Sequence, residues 1–142
     1  GIYPKNLNDL KFLKENKIKG ILTLCDEDEA LIPKEIEDMF FHQKIVLPDH
    51  KSKEVLTINK LNETMKILKK LLEIGPVYLH CVAAMERSPL ICMAWLMYKK
   101  KLTLTQSLDY MMQVHQSTNP IPKHLKILEN LNYIIEPLEK QD

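Results

Sequence analysis

One short stretch, His80-Cys81-Val82-Ala83-Ala84-Met85-Glu86-Arg87-Ser88-Pro89, gathers a thiol, a guanidinium, an imidazole and a hydroxyl. A cysteine thiolate is a nucleophile and metal ligand; which of the two it serves as depends on its neighbours. Here the neighbours point to an oxyanion. Apolar Val77-Tyr78-Leu79 precedes the stretch as a short strand, and Pro89 to Tyr98 follows as a helix apolar on nearly every side. The first backbone N–H groups of that helix have no intrahelical partner, and the helix dipole adds partial positive charge at the same end. A loop placed there is an anion site built of backbone. Cys81 to Arg87 fill it, so Val82, Ala83, Ala84, Met85 and Glu86 are expected to present their amides to a phosphoryl group. The same donors favour the Cys81 thiolate. Six positions on, Arg87 can match two oxygens of that group with its planar fork, which lysine cannot do. The chain has 20 basic residues, and Arg87 is its only arginine. Ser88 is expected to turn its hydroxyl back toward the cysteine sulfur and to help the thiolate leave. His80, alternating away from Cys81, is expected to point inward and organise the loop by hydrogen bonding.

The remaining chain supplies elements that could position such a loop. Asn8 to Lys17 reads as a short amphipathic helix and Ile21 to Cys25 as a buried strand. Acidic Asp26-Glu27-Asp28-Glu29 reads as a loop, and Pro33 opens a helix to Met39. Phe41 to Leu47 forms a second strand, followed by the loop Pro48-Asp49-His50-Lys51. Ser52 is the expected N-cap of a long helix whose apolar stripe is Ile58, Leu61, Met65, Leu68 and Leu72, and which Gly75-Pro76 stops. After the apolar helix, Lys99-Lys100-Lys101 matches the negative end of its dipole. Thr103-Leu104-Thr105-Gln106 is a capping box opening a helix to about Gln116. A final helix runs from about Pro122 to Ile135. Strands alternating with helices predict a single α/β domain over 1–142, with a central, mostly parallel sheet flanked by helices in three layers.

His80-Cys81-x5-Arg87-Ser88 resembles the signature loop of the cysteine-based protein tyrosine phosphatase superfamily. The compact length, the order of acid loop, long helix, strand, signature loop and helices, and the tail with Asn119-Pro120-Ile121-Pro122 most resemble its dual-specificity branch. The resemblance implies a loop aspartate that protonates the leaving oxygen and then activates water against a phosphocysteine. Asp49, 32 residues before Cys81 and in a loop after a strand, fits that role; Asp26 and Asp28 are the alternatives. One position departs from the pattern. The family loop has glycine three residues after the cysteine, where this chain has Ala84, and if the backbone there needs φ > 0 the cost is about 1 kcal/mol.

The expected activity is therefore phosphomonoester hydrolysis through a phosphocysteine. Residues 82–86 add no cation, and a Glu86 carboxylate at the mouth would repel a multiply phosphorylated ligand. This favours phosphoproteins over inositol phospholipids as substrates, with phosphotyrosine and phosphoserine/threonine both open. Lys51 and Lys53 can attract acidic peptides, though a solvated surface accounts for them equally. A phosphate-binding module without turnover is the alternative that Ala84 raises. A rhodanese-like Cys-loop enzyme is another, raised by Glu86-Arg87-Ser88-Pro89. Composition agrees with a soluble domain: 142 residues, 45% hydrophobic, 27% charged, formal net charge +1. No partner nucleic acid or membrane is expected from that charge. Three cysteines at irregular spacing fit a reducing, cytoplasmic setting better than a disulfide framework. Cys92 is expected in the core, and Cys25 as a small buried hydrophobe or a redox partner of Cys81. No metal and no cofactor are expected, and oligomeric state is not encoded.

Overall fold

A computed structural model describes residues 1–130. Its elements are α1 (Leu7–Glu15), β1 (Gly20–Thr23), α2 (Ile36–Met39), β2 (Phe41–Lys44), α3 (Ile58–Ile74), β3 (Val77–His80), α4 (Arg87–Lys99), α5 (Leu104–Val114) and α6 (Pro122–Leu128). The expected α/β class is what the chain adopts: a parallel sheet with flanking helices. Its backbone divides into two compact units interleaved in sequence, Gly1–Val46 with Ile67–Ala83, and Leu47–Lys66 with the described residues from Ala84 on.

The first unit holds the sheet, with strand order β2-β1-β3 and both pairings parallel. β1 is central and buried at all four positions, as a strand with neighbours on both edges and covered faces requires. In the register Ile21 lies opposite His42 and Tyr78, and Thr23 opposite Lys44 and His80. These residues share one face. On it, Ile21 packs in a cluster with Leu10 and Leu13 of α1, Ile36 of α2, and Phe40. On the other face, a side chain at Gly20 would meet Leu71 of α3 at 3.3 Å. Glycine there lets the helix approach the strand closely.

β1 and β2 are shorter than the apolar runs predict. The hydrogen bonds run one step past the strand ends, with Ile45 N donating to Thr23 O at 2.9 Å and Leu24 N to His80 O at 3.0 Å. The central strand itself spans only Gly20–Thr23, short of Cys25, and β2 only Phe41–Lys44, short of Leu47.

In the second unit, α4 packs against α5 and α6. It buries Arg87 to Ile91, Met93, Ala94, Met97 and Tyr98, as its apolar character predicts. Cys92 is only half-buried, because it falls on the strip of the helix that this packing leaves uncovered. The capping box of α5 is formed in full: Thr103 Oγ1 accepts Gln106 N, and Gln106 Oε1 accepts Thr103 N. Pro122 stands in the first turn of α6; of the helix expected to Ile135, the part after residue 130 lies outside the described residues.

The long helix starts later than expected. Ser52 Oγ accepts the amide of Glu54 in a local turn, and Thr57 Oγ1 takes the cap bond from Lys60 N. Two residues of cap type stood in reach of one helix start, and the nearer one captured it. Its fully covered face is Leu61, Thr64, Met65, Leu68 and Leu71. Leu72 is only half-buried, since at 3.6 residues per turn the stripe drifts by one position over the last turn. Among the described residues no helix is long and apolar enough to cross a membrane.

Candidate active site

The expected signature loop runs from the end of β3 to the first residue of α4, the position an anion site requires. In the first unit, His80 is fully buried and Cys81 is 2% exposed. His80 Nδ1 lies 3.0 Å from Cys81 O. A carbonyl only accepts, so Nδ1 carries the proton. His80 Nε2 lies 2.7 Å from Thr23 Oγ1, which is also 2.7 Å from His42 Nε2. His42 Nδ1 in turn pairs with Glu37. A row of hydrogen bonds thus crosses all three strands, from a surface carboxylate to the cysteine carbonyl. His80 is where the sequence put it; Thr23, His42 and Glu37 are additions that no local motif announces.

In the second unit, Ala84 is 1% exposed and has φ 60°. This is the left-handed conformation for which glycine is the usual residue, so the substitution carries about 1 kcal/mol of strain. The strain is held from the α5–α6 connection. Ala84 O accepts from His115 Nε2 at 2.6 Å, Ser117 Oγ lies 2.9 Å from the same nitrogen, and Asn119 N donates to Met85 O at 2.7 Å. His115 and Ser117 were not foreseen as part of the site. Ala83 and Met85 are exposed and Val82 half-buried, so the outward side chains of the loop are uncharged. No side chain caps the start of α4. Arg87 and Ser88 are buried, at 4% and 2% exposure.

The loop carrying Asp49 is tied to this segment. Arg87 Nη1 donates to Leu47 O at 3.1 Å, and His50 N donates to Glu86 Oε2 at 3.1 Å. The other oxygen of Glu86 pairs with His50 Nδ1 at 2.6 Å. Asp49 is half-buried, with its Oδ1 accepting the amide of Lys51 at 2.9 Å. Glu86 is therefore not a free carboxylate at the mouth, as composition suggested. Both of its oxygens are engaged by His50, a pairing out of reach of any argument from neighbouring residues.

Asp26, the alternative acid, is placed differently. It bonds Lys44 Nζ at 2.9 Å. That bond, with the Glu27 amide and the lysine charge, lowers its pKa below the ordinary carboxylate value. A carboxyl held ionised is a poor proton donor.

The comparisons agree with the fold. The family described as "Dual specificity phosphatase, catalytic domain" matches residues 2–133, and the chain belongs to that family. It is similar to the dual specificity protein phosphatase PHS1 of Arabidopsis thaliana, at 28% identity over 116 residues, covering 81% of this chain and 12% of that protein. It is also similar to the phosphatidylglycerophosphate phosphatase PTPMT2 of the same plant, at 21% identity, covering 93% of this chain and 58% of that protein. The chain thus spans only part of the length of each. Among solved structures, that of the human tyrosine phosphatase-like serine/threonine/tyrosine-interacting protein superposes with a TM-score of 0.81 at 20% identity, over 94% of this chain and 89% of that one. At that identity the likeness is one of fold.

Proposed function

We propose that this chain is a cysteine-dependent phosphatase of phosphoproteins. The Cys81 thiolate attacks phosphorus, the bond to the leaving oxygen breaks, and Asp49 gives that oxygen its proton. Water then attacks the phosphocysteine, Asp49 takes the water's proton, and Ser88 assists departure of the thiolate. Arg87 and the amides of residues 82–86 hold the phosphoryl oxygens, and His80 fixes the loop. The observation that carries this reading is the anchoring of the Asp49 loop on Arg87, the one arginine of the chain, through Leu47 O at 3.1 Å. The bond holds the segment that carries the acid against the residue that clamps phosphate, as acid-assisted phosphoryl transfer needs.

Protein substrates are favoured because the outward side chains of the loop, Ala83 and Met85, offer no cation for a second phosphate. The named activity of the plant relative PTPMT2 points the other way, to a phospholipid. Hydrolysis of a phosphopeptide panel against phosphatidylglycerophosphate vesicles decides between them: preference for the vesicles would overturn the protein assignment. For the chemistry itself, wild type is expected to hydrolyse an activated aryl phosphate under reducing conditions, with turnover lost in Cys81→Ser but vanadate binding retained. Arg87→Lys should fall by at least about tenfold despite keeping its charge, because the fork is lost. Turnover that survives Cys81→Ser sinks the thiol mechanism. The strained φ of 60° at Ala84 favours a second reading, a phosphate binder without turnover. Wild type that binds vanadate and phosphopeptide but releases no phosphate would establish it.

A further inference from the structure

The bonds of the Asp49 loop converge on two adjacent residues. Arg87 Nη1 reaches Leu47 O, while Glu86 accepts both the backbone amide of His50 and its ring nitrogen, at 3.1 Å and 2.6 Å. Residues 49–52 also close turns within the loop: Ser52 N donates to Asp49 O at 3.2 Å and Lys51 N to Asp49 Oδ1 at 2.9 Å. Such turns fix the local shape of the loop but not its place. Glu86 is suited to fixing the place. Its side chain is only 19% exposed and its backbone is the last residue before α4, so the carboxylate is held by a rigid neighbour. A bidentate, charge-assisted contact defines orientation as well as distance.

We propose that Glu86 and His50 form a latch that holds the Asp49 loop where Asp49 can reach the leaving oxygen. They are positioning residues for the acid step, and the proposal rests on the phosphatase reading given above. The latch acts through Asp49 alone, so its loss has a signature distinct from general damage. Phosphoryl transfer to a poor leaving group needs the proton in the transition state; transfer to a well-activated phenol does not.

The test compares kcat/KM, which reports the phosphoryl-transfer step, for phenyl phosphate and a nitro-substituted aryl phosphate. The proteins are wild type, Asp49→Asn, Glu86→Ala, His50→Ala, and each latch variant combined with Asp49→Asn. Asp49→Asn should lower the phenyl-to-nitrophenyl ratio by about a hundredfold. Glu86→Ala and His50→Ala should lower the same ratio by about tenfold, the scale of a misplaced catalytic group. Neither should lower it further once Asp49 is asparagine, because residues acting as one unit are not additive. A ratio unchanged in both latch variants, while Asp49→Asn shows its effect, overturns the latch. A ratio unchanged in Asp49→Asn overturns the acid assignment and the latch with it, whereas loss of all thiol-dependent turnover would be a failure of the phosphatase reading. His50 is exposed at 59% of its side chain, so His50→Ala carries the test if Glu86→Ala does not fold.

Discussion

Ala84 shows how a single residue can carry both strain and its remedy. Its φ of 60° places a methyl group where L-residues pay roughly 1–2 kcal/mol. The carbonyl bonds from His115 and Ser117 hold it there. Two effects oppose each other on reversion to glycine. The strain is relieved, but glycine loses about 0.4–1 kcal/mol through its freer unfolded chain, and the buried methyl contacts are lost. Ala84→Gly is therefore expected to change stability by less than about 1 kcal/mol. Ala84→Val, with branching at Cβ, should lose at least about 2 kcal/mol. Denaturant melts of the three proteins check this; a valine variant as stable as wild type would mean that the conformation is not enforced.

At the scale of elements, the sheet does more than carry the loop. Its register brings Thr23 opposite His80 on one edge of β1, and the threonine hydroxyl bridges His80 and His42 at 2.7 Å each. A threonine in a central strand would ordinarily be replaceable by valine, which has the same shape and higher β-propensity. Here that change removes the hydroxyl that bonds Nε2 of a fully buried histidine. Thr23→Val should cost about 1–3 kcal/mol, and Thr23→Ser should recover most of it. Because His80 also bonds the Cys81 carbonyl, Thr23→Val should slow alkylation of Cys81 by iodoacetate while Thr23→Ser does not. Equal alkylation rates in all three would separate the row of hydrogen bonds from the thiol.

For the molecule as a whole, stability is expected to fall on mild acidification. His124 in α6 is 3% exposed, and its Nε2 has no hydrogen-bond partner among the described residues. Burial, then the Lys123 charge, lower its pKa from the usual histidine value of 6.5, against a smaller opposing pull from Glu86. With the folded value depressed, the unfolded chain takes up the proton first as pH falls. The stabilising contribution is thus complete above the unfolded value and is lost as pH drops below it toward the folded value. Thermal melts between pH 7.5 and 5 should show Tm falling on acidification, with a shallower slope in His124→Gln. Identical slopes would exclude His124 as the source.

What the sequence determined by itself was local. The strand, Cys-x5-Arg loop and apolar helix are contiguous, so the candidate anion site was legible from residues within about a dozen positions of one another. The Thr103–Gln106 capping box and the Gly75-Pro76 stop were legible for the same reason. What only the tertiary structure decided were partners far apart along the chain: Thr23 with His80, 57 residues apart; His50 with Glu86, 36 apart; His115 with Ala84, 31 apart. Periodicity encodes which face of an element is covered, not which residue covers it. The partners are chosen by strand register and loop closure, which is why the sequence read Glu86 as a carboxylate facing substrate and the fold gave it to His50. The same limit explains the start of α3: Ser52 and Thr57 carry equivalent cap signals, and only the folded path of residues 52–57 selected the second.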